Sequence, residues 1–119
     1  MEAVVDVVLA ARLPLRSQDL GFREGLRRCG IITTDAFVGD AQTEPYWTPG
    51  RLLDQLATLP LGVTELMCHP GIFDEALAYS RYGRQREVEL GALCDAEARA
   101  TVTRLDIQLC HFGALGAAG

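Results

Sequence analysis

Apolar positions along the chain fall into two periods. Residues 2–12, "EAVVDVVLAAR", put Val4, Val5, Val8 and Leu9 at helical spacing with Asp6 on another face, although the valines are also strand-formers. Pro14 breaks that pattern. Asp19 then offers an N-cap for a helix through Cys29, ended by Gly30. "IITTDAFVGD" is rich in strand-forming residues and leads into the turn-like "AQTEPYW". Thr48 followed by Pro49 pairs a capping hydroxyl with a proline at the first helical position. Leu52, Leu53, Leu56 and Leu59 give that helix an apolar stripe, which Pro60 and Gly62 stop. Val63 to Cys68 reads as a buried strand. A polar stretch follows, with a helix expected from about Arg84 to Leu93. Asp95 caps another through Arg104, with Ala98 and Val102 inward. Ile107 to Cys110 is expected to be a last short strand, and the small-residue tail 113–119 is expected to fray.

Strands alternating with helices at this spacing predict βαβ units: an α/β fold with mostly parallel strands and flanking helices. In such folds chemistry collects beyond the carboxyl ends of the strands. The chain has only two histidines. Both His69 and His111 follow an expected strand directly, and His69 is locked into a Cys-His-Pro-Gly sequence. That position singles them out.

Composition narrows the classes. A length of 119 residues fits a single domain, 1–119. About half the residues are apolar and 23% are charged, so a core is available and disorder is not expected. The formal net charge of −5 argues against a nucleic-acid partner. All eleven basic residues are arginine, which removes any lysine-based Schiff-base or phosphate-loop chemistry. The four cysteines, Cys29, Cys68, Cys94 and Cys110, form no C-x-x-C pair and are expected to be small core residues. With no basic leader and no apolar run long enough for a bilayer, a cytoplasmic location with reduced thiols and no membrane association is expected.

Four stretches carry a resemblance. "LGVTELMCHPG" resembles a signature of the YdjC-like carbohydrate deacetylases, including their hopanoid-biosynthesis-associated members. "GIITTDAFVGD" is similar to the family's Gly-Ile/Leu-x-Thr-x-Asp-x-Phe-x-Gly segment. "RQREVELGALCDAEARATV" is similar to its Arg-x-x-Glu-Leu-x-x-Leu-x-Asp-x-x-Val helix entry, and "LDIQLCHFGAL" to its closing strand. Residues 20–115 follow the family's order; residues 1–19 match loosely, "LPLRSQD" resembling a segment that carries an arginine in the family.

The resemblance implies a (β/α) barrel-like fold of about 250 residues. It implies removal of the acetyl group from N-acetylated sugars such as chitooligosaccharides. A divalent metal, zinc or magnesium, would activate water and polarise the amide carbonyl. The implied ligands lie in an Asp-Asp pair, a Gly-x-His segment and an Asp-x-His-x-His segment, none of which occurs here. The expectation is therefore a partial barrel, the C-terminal half of a deacetylase, from a truncated gene or a fragment. It would bind no metal by itself and be inactive alone. The alternative is a non-catalytic oligomeric binding or assembly module derived from that fold. In either case the open half-barrel would be covered, by the missing N-terminal half or in a homodimer or higher oligomer.

By the same resemblance, His69 lines the active site as proton donor or oxyanion stabiliser. Against this stands the plainer reading of a histidine hydrogen-bonded at a strand end. Arg16 would orient a catalytic carboxylate, or simply be solvated. Trp47, with Tyr46, would stack on a sugar ring or pack at the rim. His111 would form a pocket wall or pack at the terminus. Glu65 is expected to be a hydrogen-bond acceptor within the sheet. Arg81, Tyr82, Arg84 and Arg86 would form a substrate-facing loop or a solvated surface.

Overall fold

Local capping chemistry sets most of the helix starts. The computed structural model describes residues 2–40, 45–80 and 83–117. Helix α1 is Glu2–Ala11 and α2 is Leu20–Arg28, whose N-cap Asp19 accepts from the Phe22 N–H. Strand β1 is Ala36–Val38. Helix α3, Pro49–Ala57, begins on Thr48, whose hydroxyl accepts from the Arg51 N–H. Strand β2 is Thr64–Leu66, and a single 3₁₀ turn follows at Glu75–Leu77. Helices α4, Gln85–Leu93, α5, Ala96–Arg104, and α6, Phe112–Ala117, complete the order. Asp95 caps α5 as its side chain accepts from the Glu97 N–H. These caps each satisfy one of the orphan donors that open a helix.

The architecture is mixed α/β, with β1 and β2 forming a two-stranded parallel sheet. Two expectations are corrected. Residues 107–110 form no strand, and the tail through Ala117 is helical rather than frayed. The remaining tail residues, 118–119, lie outside the described residues. The first correction has a simple cause: a strand exists only with a partner to pair with, and Leu109 and Cys110 are exposed. The second has a local one: His111 Nδ1 accepts from the Gly113 N–H at 3.1 Å and so caps α6.

The chain divides into two compact units. One comprises residues 1–38, 60–65 and 109–119. Its core is Val8 of α1 with Leu26 of α2 and Ile31, flanked by Val5, Leu15 and Phe22. Here the Asp35 and Ala36 N–H groups both donate to the Val63 carbonyl, at 2.8 and 3.2 Å, which starts the sheet. The other unit comprises residues 39–59 and 66–108. In it α3 packs on α4 and α5, and Trp47, Leu52, Leu56, Ala92 and Ala98 are buried. Gly39 follows β1 at φ +114°, where a side chain would collide with the Met67 carbonyl.

The cysteines are not core residues. Cys29, Cys94 and Cys110 are exposed and Cys68 is half-buried.

Candidate functional site

The His69 loop is held by helix α4 through alternate backbone donors. The His69 N–H donates to Glu89 Oε1 at 3.1 Å. The Gly71 N–H donates to the Arg86 carbonyl at 3.1 Å, and the Phe73 N–H to Glu87 Oε1 at 2.8 Å. Pro70 sits between the first two and has no N–H to place. The Phe73 ring lies under the Arg84 guanidinium, 4.4 Å from its carbon. The loop that leaves β2 is thus fixed along its backbone while the His69 side chain stays half-buried. Arg81 and Tyr82, expected in a basic loop with Arg84 and Arg86, lie outside the described residues.

Glu89 is only 3% exposed, and the sequence reading missed it. Its neighbour Val88 is the apolar residue, yet Val88 is 41% exposed. The signal was available in the loop: a run of bare N–H groups beside an apolar core requires acceptors, and a helix reading Glu-Val-Glu supplies them. The Cys68 thiol is pushed up from its ordinary pKa, first by burial and then by the Glu89 carboxylate.

In the other unit, Arg16 pairs with Glu65 on β2, its Nε donating to Oε1 at 2.6 Å and its terminal nitrogen forming an ion pair with the same oxygen. Arg16 also lies 5.6 Å above the Phe37 ring of β1. The Arg16 side chain is half exposed, whereas Glu65 is 9% exposed and its Oε2 is buried without a partner among the described residues. Glu65 is therefore an acceptor at the sheet, as expected, and the carboxylate that Arg16 orients is Glu65. Nearby, buried Arg23 donates to Ser17 Oγ and to the Ser17 and Thr34 carbonyls. Asp35 takes the Val63 N–H on Oδ2 and Arg27 on Oδ1. The Val63 N–H is the main cause that lowers its pKa; partial burial opposes it, and the charges of Arg27 and Arg23 add to it.

Trp47 is 0% exposed, and its indole N–H donates to the Met67 carbonyl at 2.7 Å. Tyr46 meets it edge-on, with centroids 4.9 Å apart. A ring enclosed in this way presents no face for a sugar, so the stacking expected of Trp47 is corrected to core packing. His111 is exposed, and its contact is the cap of α6. Of the singled-out residues, Arg16 and His111 lie in one unit and Trp47 and His69 in the other.

Among the described residues, no group of three His, Cys, Asp or Glu side chains is arranged to hold a metal ion. The donor set of the described residues does not by itself fit a resident metal. Nor is any described helix long and apolar enough to cross a membrane.

Comparison with known proteins places the chain. No solved structure matches it. A carbohydrate deacetylase of Vibrio vulnificus strain YJ016 is 33% identical over 115 residues, covering 94% of this chain and 43% of the relative. One of Brevibacillus brevis is 35% identical, covering 96% of this chain and 48% of the relative. One of Thermoanaerobacter pseudethanolicus is 29% identical, covering 97% and 46%. The chain therefore spans a little under half the length of these relatives. The family model described as YdjC-like protein matches residues 2–104, and the chain belongs to that family.

Proposed function

We propose that this chain forms the C-terminal, sugar-binding portion of a carbohydrate deacetylase that acts on N-acetylated sugars. The relatives carry that name, and their similarity covers nearly all of this chain. The observation that carries the reading is His69: it stands just past the carboxyl end of a parallel strand, on a loop whose backbone is fixed by α4. That is where side chains meet substrate in α/β folds. β1 and β2 would be two staves of a barrel whose other strands lie outside these 119 residues.

Amide hydrolysis adds water to the acetyl carbon, breaks the C–N bond and leaves acetate and an amine. Two tasks in that sequence suit an imidazole. As imidazolium it donates a proton to the departing nitrogen; as a neutral N–H donor it stabilises the oxyanion of the tetrahedral intermediate. His69 is assigned to one of these tasks, and the groups that bind metal are assigned outside the described residues.

The test has two arms. Titration with N-acetylglucosamine oligomers, followed by amide NMR, is expected to perturb residues 69–73; no perturbation at tens of millimolar sugar overturns the reading. Acetate release by the chain alone, with zinc or magnesium added, is expected to stay at the level of a His69→Ala control. Sustained turnover above that control refutes the assignment of metal binding elsewhere.

A further inference from the structure

We propose that Glu89 is the positioning residue of the His69 loop: its buried carboxylate takes the His69 N–H and so fixes the backbone from which the imidazole projects. The inference rests on the role proposed for His69, and it explains why a carboxylate occupies an interior position of α4. A carboxylate that is 3% exposed loses most of its hydration, and such a group is retained only where hydrogen bonds replace the water. Glu89 Oε1 has that bond from His69, and a bond to an ionised acceptor is about twice as strong as a neutral one.

The geometry of the loop makes this bond the first of the series. Pro70 contributes no donor, so the next tie to α4 is the Gly71 N–H on the Arg86 carbonyl. The Glu89 bond therefore ties the segment between Leu66 and Gly71 to α4, at His69 itself. Glu87 performs the corresponding task two residues beyond Gly71, but from an exposed position on Phe73. The two glutamates divide the loop: the buried one sets His69, the exposed one sets the exit. The carboxylate also lies close enough to Cys68 to disfavour its thiolate, which places negative charge at the start of the loop.

The experiment compares wild type, Glu89→Gln and Glu89→Ala in a chain whose exposed Cys29, Cys94 and Cys110 are replaced by serine. Amide hydrogen exchange at His69 is expected to accelerate about ten- to a hundredfold in Glu89→Ala, the range set by losing a hydrogen bond to a charged acceptor. Gly71 and Phe73 serve as internal references. Glu89→Gln, which keeps an acceptor oxygen in the same shape, is expected to restore most of the protection and guards against misfolding of the alanine variant. Removing the charge is also expected to shift the pH profile of Cys68 alkylation to lower pH in Glu89→Gln, whose side chain keeps the size of the original and so leaves the burial of Cys68 in place. Unchanged His69 exchange in Glu89→Ala, or an unmoved alkylation profile in Glu89→Gln, overturns the proposal. None of these readouts requires deacetylation, so they decide the role of Glu89 even where the sugar titration fails.

Discussion

Trp47→Ala separates a core tryptophan from a sugar platform. A buried tryptophan removes about 150–250 Å² from water. At about 25 cal/mol per Å² that is about 4–6 kcal/mol, an upper estimate because the unfolded chain already buries some of it. Truncations of this kind usually cost about 3–5 kcal/mol. We expect about 4 kcal/mol, a large part of the 5–15 kcal/mol typical of a folded domain. Trp47→Phe keeps most of the apolar area but leaves the Met67 carbonyl without its donor, which adds about 1–3 kcal/mol for an unmade buried bond. Urea unfolding followed by far-UV circular dichroism is the assay, since Trp47 is the chain's single tryptophan and its fluorescence leaves with it. With a slope of about 2 kcal/mol per molar, Trp47→Ala should lower the midpoint by about 2 M. A shift under about 0.25 M, within the range of surface substitutions, combined with lost binding of N-acetylglucosamine oligomers, would refute core packing and restore the stacking role.

Gly39→Ala should destabilise by about 1–3 kcal/mol in the same assay, because its φ of +114° and the adjacent Met67 carbonyl both exclude a side chain. The depressed pKa of Asp35 gives a pH signature: its stabilisation is complete above the unfolded carboxyl value near 4 and is lost as pH falls through the lower folded value. Asp35→Asn should therefore show a shallower loss of urea midpoint below about pH 4 than the wild type, and identical acid limbs would contradict the assignment. Val4, Val7, Leu9, Leu13 and Ile32 are exposed apolar residues, and Leu9, Leu13 and Ile32 line a depression with Val8, Ile31 and Arg12. Sedimentation across a dilution series should show self-association, with an interface on the order of 2,000 Å², and a monomer persisting at high concentration would refute the proposal that this chain is part of an open barrel.

Features that depend on a few neighbouring residues were legible in the sequence. Asp19, Thr48 with Pro49, and Asp95 open helices where their side chains require, because a cap is decided within four residues. The leucine stripe of α3 is buried or half-buried throughout, as its periodicity requires. Features that depend on a distant partner were not. The expected strand at 107–110 contains strand-forming and apolar residues, but no local pattern supplies the neighbour it needs. Trp47 could be read as a platform because its burial depends on Met67, far along the chain. The cysteines followed a general preference for burial that local surroundings overrode at Cys29, Cys94 and Cys110. At the site, His69 was visible from its sequence context, whereas Glu89 was hidden by the habit of reading glutamate as solvent-facing.

Gly62 and Asp35 form a mutual constraint. Gly62 sits at φ +103°, and a Cβ there would lie 2.5 Å from Asp35 Oδ2, the oxygen that holds the Val63 N–H. Space for the carboxylate exists because position 62 has no side chain, and the carboxylate in turn fixes the strand entry beside it. Position 62 is not free to drift alone. A lineage that acquires any side chain at 62 must surrender the acid at 35, and one that replaces the acid releases the requirement for space at 62, leaving only the backbone twist to select glycine. Across relatives, aspartate at 35 should therefore occur with glycine at 62, and a residue other than glycine at 62 should appear only where 35 has lost its acid.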